Sequence, residues 1–161
     1  MAGHFDSSRR NFFRRKKDNA LRPPWTSLEI NFIDTCTRCN ACIDTCETKV
    51  ITRGDGGFPE LNFSHAECTF CEKCADACPE AIFDKQQSSP WSLIADIQNS
   101  CLAYHGIFCQ SCKDACEAEA ISFALLLKQA PIPTIDTDSC TGCGACVEPC
   151  PSNSIRIFKP E

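Results

Sequence analysis

Sixteen of the 161 residues are cysteines, and their spacing is the most informative feature of the sequence. They form four groups of four with no cysteine left over: Cys36-Cys39-Cys42-Cys46, Cys68-Cys71-Cys74-Cys78, Cys101-Cys109-Cys112-Cys116 and Cys140-Cys143-Cys146-Cys150. Three groups follow the pattern C-x2-C-x2-C-x3-C, whereas the third group has seven residues between its first two cysteines. This pattern is the starting point for predicting the chemistry.

The spacing predicts [4Fe–4S] clusters rather than zinc sites or disulfides. Three cysteines at positions i, i+3 and i+6 can direct their sulfurs to one point and bind three corners of a cubane. In bacterial two-cluster ferredoxins the fourth cysteine ligates the other cluster. Structural zinc instead uses four tetrahedral ligands, usually from two separated C-x2-C pairs, and disulfides require an oxidising compartment. We therefore expect all sixteen cysteines to be iron ligands of four [4Fe–4S] clusters.

Two pairings of the groups are compatible with this ligand set. The hairpins predicted below connect group one with two and group three with four, which favours sequential pairing. Sequential pairing gives cluster A from Cys36, Cys39, Cys42 and Cys78; cluster B from Cys68, Cys71, Cys74 and Cys46; cluster C from Cys101, Cys109, Cys112 and Cys150; and cluster D from Cys140, Cys143, Cys146 and Cys116. A nested pairing, with group one completing group four and group two completing group three, remains an alternative.

The segments between the groups predict the elements that position the cysteines. Strand-like runs after group one and after group three each lead to a proline nine residues before the next group, and Gly54–Gly57 supplies a turn in the first, so both segments predict β-hairpins. Groups one and three end in Cys-Glu and groups two and four end in Cys-Pro, which indicates an internal duplication. The polar segment 85–90 reads as a linker, followed by a strand or helical turn within 91–97.

The predicted fold is therefore α+β, a tandem duplicated bacterial 2[4Fe–4S] ferredoxin-like fold with short helices and β-hairpins around the clusters. Residues 31–88 form the first two-cluster domain, residues 89–161 the second, and residues 1–30 a basic, flexible N-terminal arm. Metal ligation supplies folding free energy where the apolar core is small.

The N-terminal arm differs in charge from the rest of the chain. Residues 1–22 contain seven Lys or Arg and two acidic residues, whereas the remainder contains nine and nineteen. Ser8-Arg9-Arg10 resembles a twin-arginine export motif, but basic residues and then prolines follow where a signal needs an apolar segment. We expect a retained arm on a cytoplasmic protein, either a docking segment or a solvated tail. No stretch is apolar enough to predict stable membrane insertion.

The sequence contains no sign of an enzyme active site. It lacks a glycine fingerprint for nucleotide binding, and no cysteine is spare to act as a nucleophile. An electron-transfer subunit of an oxidoreductase complex and an assembly factor for another metalloprotein both fit. The insertion at 102–108 is either a partner-contact loop or a tolerated surface insertion.

Several short motifs outside the cysteine pattern carry a more specific resemblance. They are Ser8-Arg9-Arg10, Arg22-Pro23-Pro24-Trp25, Cys36-Thr37-Arg38-Cys39, Gly56-Gly57 and Cys101-Leu102-Ala103-Tyr104. With these motifs the chain resembles the NapF family of ferredoxin-type proteins, which accompany periplasmic nitrate reductases. The resemblance implies a cytoplasmic protein that contacts the precursor of the nitrate reductase catalytic subunit before export and helps to assemble or reduce its iron–sulfur centre. It implies no nucleic-acid partner.

Overall fold

The structure, a computed structural model, describes residues 20–124 and 130–160. Its helices are single turns: α1 (Phe32–Thr35), α2 (Ala41–Asp44), α3 (Lys73–Asp76) and α4 (Ser111–Asp114), with 3-10 turns at Asp55–Gly57 and Leu102–His105. The strands are equally short: β1 (Ile51–Arg53), β2 (Pro59–Leu61), β3 (Ile94–Ile97), β4 (Ile121–Ala124), β5 (Ile132–Ile135) and β6 (Ile155–Phe158). Most of the described chain is therefore turn and loop arranged around the cysteines.

Two of the antiparallel strand pairs are the predicted hairpins. Strands β1 and β2 pair with Ile51 opposite Leu61, and β4 and β5 pair with Ile121 opposite Ile135. The first hairpin turns through Gly56, whose φ of +66° favours glycine. The residues that connect β4 to β5, 125–129, lie outside the described part of the chain. Both hairpin predictions are confirmed.

The third strand pair joins the beginning of the second half to its end. Strand β3, within the segment predicted to be a strand or helical turn, pairs antiparallel with β6, with Ile94 opposite Phe158. The sequence did not reveal this partner. The first half has one bridge at the matching place, Thr26 with Phe83. Phe83 and Ile155 both lie five residues after the last cysteine of a group, so the duplication extends to these pairings.

The end of the segment assigned to the N-terminal arm packs against the first half and the linker that follows it. Pro23 and Pro24 are fully buried, and Trp25 is 7% exposed. The backbone N–H of Trp25 donates to the Pro90 carbonyl at 2.7 Å, and the N–H of Leu61 donates to the Leu21 carbonyl at 2.8 Å. The two prolines restrict the backbone, and the indole buries a large apolar area. Residues 1–19, with the arginine pair, lie outside the described residues.

Two small cores hold the described residues together. The first contains Val50, Ile51, Leu61 and Phe63, and the second contains Ala95, Ile121 and Ile155. Leu93 is buried in the first core although it directly precedes β3 of the second half. Val147 and Ile157 pack against both cores. The two halves therefore share an apolar interface. Within the described ranges, no helix has the length and hydropathy needed to cross a bilayer.

Candidate iron–sulfur sites

Three clefts in the described part of the chain are each lined by four cysteines. All sixteen cysteines are described, and all are free thiols. The clefts contain Cys36, Cys39, Cys42 and Cys78; Cys46, Cys68, Cys71 and Cys74; and Cys101, Cys109, Cys112 and Cys150. Each cleft combines three cysteines of one group with the last cysteine of its neighbour. These are the combinations that sequential pairing predicts for clusters A, B and C.

The cysteines expected at cluster D lie together in the second core. Cys146 is buried there, and Cys140 and Cys116 pack against it. Burial raises the pKa of the Cys146 thiol to about 12, and the neighbouring Cys143 and Cys140 add to the rise. The four thiols predicted for cluster D thus share one region of the second half.

The three regular groups have the same unusual backbone. In each, the residue before the second cysteine and the residue after it have positive φ: Arg38 and Asn40, Phe70 and Glu72, Gly142 and Gly144. Left-handed residues alternating with right-handed ones turn successive N–H groups toward one point and make an anion-binding concavity, as in many iron–sulfur sites. All six positions are in the left-handed region. Two are glycines and four are residues with a side chain, which adopt this region rarely, so the loop shape is required.

The third group departs from this backbone. The seven residues between Cys101 and Cys109 include the 3-10 turn Leu102–His105, closed by Gly106 at φ +79°. Gln110, which corresponds to Asn40, has φ −135°. The rest of the insertion exposes apolar side chains: Tyr104 is 40% exposed, Ile107 51% and Phe108 74%. A longer loop therefore connects Cys101 to the other cysteines of its group, and this loop exposes an apolar surface beside the cleft.

The electrostatics of the clefts fit a positively charged inorganic core. Burial raises the pKa of Cys42 to about 11, and the Cys36 and Cys78 thiolates add to the rise. Burial likewise raises the pKa of Cys74 to about 12, with Cys68 and Cys42 contributing. Four thiolates confined this closely need a bound cation to remain ionised, and an all-thiolate donor set is suited to soft metal centres. Among the described residues, no group of three or more metal-ligating side chains is close enough together to hold a single metal ion.

The last cysteines of groups one and four, Cys46 and Cys150, are close to several hydrogen-bond donors. Burial opposes ionisation of Cys46, but N–H groups of Ile51, Val50 and Lys49 and the Thr48 hydroxyl outweigh it and lower the pKa of Cys46. The Thr48 Oγ1 lies 3.6 Å from the sulfur. The positive φ of Lys49 turns the following N–H groups toward the thiolate.

Cys150 has a second set of donors, made by serines. Burial again opposes ionisation, but the backbone and hydroxyls of Ser154 and Ser152 lower the pKa of Cys150. The Ser154 N–H donates to the Cys150 Sγ at 3.3 Å, and the Ser152 Oγ lies 3.7 Å from that sulfur. Ser154 is fully buried, and its hydroxyl lies 2.6 Å from that of Ser152 and accepts from Ser100 at 3.0 Å.

The cysteine pattern alone does not identify these serines. The signal that could have found them is a hydroxyl residue two positions after a cysteine, as in Cys150-Pro151-Ser152, Cys46-Glu47-Thr48 and Cys109-Gln110-Ser111. In the third case the Ser111 Oγ lies 3.8 Å from the Cys109 Sγ. The pattern is short and common, so it becomes informative only beside a cysteine already assigned to a cluster.

The comparisons with known proteins agree with this geometry. The profile of the 4Fe–4S dicluster domain matches residues 35–82 and 107–154. The second match begins after Cys101, which leaves the first cysteine of the irregular group outside it. The two matches together cover more than half of the chain.

Curated relatives give a closer placement. The ferredoxin-type protein NapF of Escherichia coli is 43% identical over 153 residues, which are 93% of this chain and 93% of the relative. NapF of Haemophilus influenzae is 47% identical over 85% of this chain and 78% of its own. The ferredoxin-type protein NapG of Escherichia coli is 31% identical over 81% of this chain and 65% of its own. The chain thus belongs to the NapF family of ferredoxin-type proteins, and its two dicluster domains hold four [4Fe–4S] clusters.

Proposed function

We propose that all sixteen cysteines are the iron ligands, paired sequentially as clusters A to D, in two domains spanning residues 31–88 and 89–161. The observation that supports this pairing is that three clefts each combine three cysteines of one group with the last cysteine of its neighbour. The left-handed loops and the donors to Cys46 and Cys150 then serve to hold thiolates in place and stabilise their charge.

We further propose that the protein is a cytoplasmic accessory protein of a periplasmic nitrate reductase. It contacts the precursor of the catalytic subunit before export and assists the assembly or reduction of the iron–sulfur centre in that subunit. The similarity to NapF over 93% of both chains supports this role. When bound, the clusters supply one-electron transfer, while the chain determines which partner comes close enough to receive the electron.

The proposed role is that of a carrier rather than an enzyme. Every cysteine is used for ligation under the proposed pairing, and thiols line each of the three clefts that carry the argument. The Cys39 and Cys71 residues are exposed, so clusters A and B approach the surface at those loops. Electron exchange needs such proximity to a partner but no substrate pocket.

Co-purification from a cytoplasmic extract tests the partner. Tagged holoprotein is isolated anaerobically, and the proteins that accompany it are identified. We expect the nitrate reductase catalytic subunit with its export signal still attached. Recovery of the exported, mature subunit instead, or of this chain itself from the periplasm, would contradict the cytoplasmic role.

An electron-transfer subunit of an oxidoreductase complex is the second candidate. The two dicluster domains, which match residues 35–82 and 107–154, are compatible with this alternative. The same experiment separates the two, because a permanent subunit would co-purify at a fixed ratio with its complex, whereas an accessory protein releases its client on maturation.

A further inference from the structure

The two halves of the molecule meet at the loops of clusters B and D. The N–H of Cys68 donates to the carbonyl of Cys143 with an N···O distance of 2.8 Å. A cysteine of group two thus lies beside a cysteine of group four, across the interface between the halves.

The side chains around this contact are packed so closely that no free space remains between the two loops. At Gly144, an added Cβ would lie 2.1 Å from the Phe63 ring. Phe63 is 7% exposed and packs edge-on against Trp91, with ring centroids 6.2 Å apart. The Trp91 Nε1 donates to the Thr141 carbonyl at 2.8 Å. The close approach therefore depends on a glycine in one half and an aromatic residue in the other.

Clusters within each half are neighbours as well. Cys42 of cluster A and Cys74 of cluster B are buried in one core, and the helices that carry them, α2 and α3, contact each other. In the second half, Cys112 of cluster C and Cys146 of cluster D share the other core. With the contact between Cys68 and Cys143, the contacts run in the order A, B, D, C.

We propose that the four clusters form one electron path in this order, and that the contact between the Cys68 and Cys143 loops is the junction where electrons cross between the halves. The inference rests on the ligand assignment proposed above but not on the identity of the partner. The step is a one-electron exchange in which one of clusters B and D is oxidised as the other is reduced. No bond forms or breaks.

The path has two ends, at cluster A and at cluster C. Cluster A lies beside the exposed Cys39, and cluster C lies beside the apolar residues Tyr104, Ile107 and Phe108. A donor at one end and an acceptor at the other could then be served by the same molecule without competing for one surface. Without the junction, each half would work as a separate two-cluster carrier.

Gly144→Ala in the holoprotein tests the junction, with Gly106→Ala as the matched control. Both glycines have left-handed φ, +88° and +79°, so an alanine is strained in both. Only Gly144 faces a neighbour, since nothing lies within 4 Å of a Cβ at Gly106. After rapid photoreduction by about one electron per molecule, we expect redistribution between the halves to slow at least tenfold in Gly144→Ala. The control should match the wild type.

Phe63→Leu tests the same junction from the other half, in case Gly144→Ala fails to retain cluster D. Phe63 lies outside the cysteine groups, and leucine preserves most of the apolar volume. Pulsed EPR of the fully reduced protein should show weaker spin coupling between the halves and unchanged coupling within them. Unchanged coupling and redistribution in variants that retain full iron would overturn the junction. Loss of partner binding with normal redistribution would instead overturn the proposed function alone.

Discussion

The sites of clusters A and C have equivalent sets of four proposed cysteine ligands, but the residues around the ligands differ. At cluster A the cysteine loop contains the left-handed residues Arg38 and Asn40, and the cleft is lined further by Glu80 and Ile82. At cluster C the left-handed pair is missing, the loop is longer, and Ser111 and Ser152 line the cleft. Both halves combine three cysteines of one group with the last cysteine of the next group, whereas the spacing of the first two cysteines and the residues next to the ligands differ.

The difference is sharpest after the last cysteine. Ile82 and Ser154 both lie four residues beyond it and are both buried, at 2% and 0% exposure. The backbone N–H of Ser154 donates to the Cys150 sulfur, and its hydroxyl belongs to a serine network. The backbone N–H of Ile82 donates instead to the Glu80 carbonyl, and the Ile82 side chain has no donor. Hydrogen bonds to cluster sulfurs are one determinant of reduction potential. Two halves with one ligand pattern can therefore hold clusters of different potential.

Double cysteine variants test which cysteines ligate clusters A and C, and they should give the largest effect. Cys36→Ala combined with Cys78→Ala removes two proposed ligands of cluster A, so it should lose no more iron than either single variant. Cys36→Ala combined with Cys150→Ala affects clusters A and C and should lose about twice as much, on the order of eight of sixteen iron atoms. Iron and sulfide analysis measures both. The reverse pattern would indicate nested pairing.

Ser152→Ala should lower the reduction potential of cluster C. The hydroxyl near Cys150 Sγ withdraws charge from the thiolate and so stabilises the reduced, more negative state. We expect roughly a tenfold change in the reduction equilibrium, about 59 mV for a one-electron couple. An EPR-monitored redox titration should show one component moving to lower potential and three staying in place. Ser152→Thr, which keeps the hydroxyl, should restore the original value.

The converse change should make cluster A more like cluster C. Glu80 occupies the position of Ser152, two residues after the last cysteine. Glu80→Ser removes a negative charge and adds a hydroxyl, whereas Glu80→Ala removes only the charge. The potential of cluster A should rise in both and rise further in Glu80→Ser. Equal potentials in the two variants would show that the hydroxyl has no effect at this position.

Changing the N-terminal arm should have the smallest effect and should leave both sites unaltered. Replacing Arg9, Arg10, Arg14 and Arg15 by glutamine removes charge from residues that lie outside the described part of the chain. We expect an unchanged iron content and weaker binding of the nitrate reductase precursor, with wild-type binding decreasing as salt increases. Unaltered binding in this variant would place docking on the cluster domains, where the loop Leu102–Phe108 is the next candidate.

The sequence predicted the parts of the molecule that depend on local pattern. The strand-like runs next to Pro59 and Pro131 predicted both hairpins, and these hairpins favoured the combinations of thiols that line the three clefts over the nested alternative. The pairing of β3 with β6 joins segments about sixty residues apart, as the partners Asp96 and Arg156 illustrate. No local pattern specifies such a partner. The donors to Cys150 also escaped prediction, because they depend on a turn made by Asn153 at φ +48°.

Iron and acid-labile sulfide content of anaerobically reconstituted wild-type protein tests the central claim most directly. If sixteen cysteines ligate four cubanes, the protein should saturate at about sixteen iron and sixteen sulfide per chain. Cubane-type charge-transfer absorption should increase in proportion to the iron bound. Saturation near eight iron, or zinc bound without that absorption, would contradict the account.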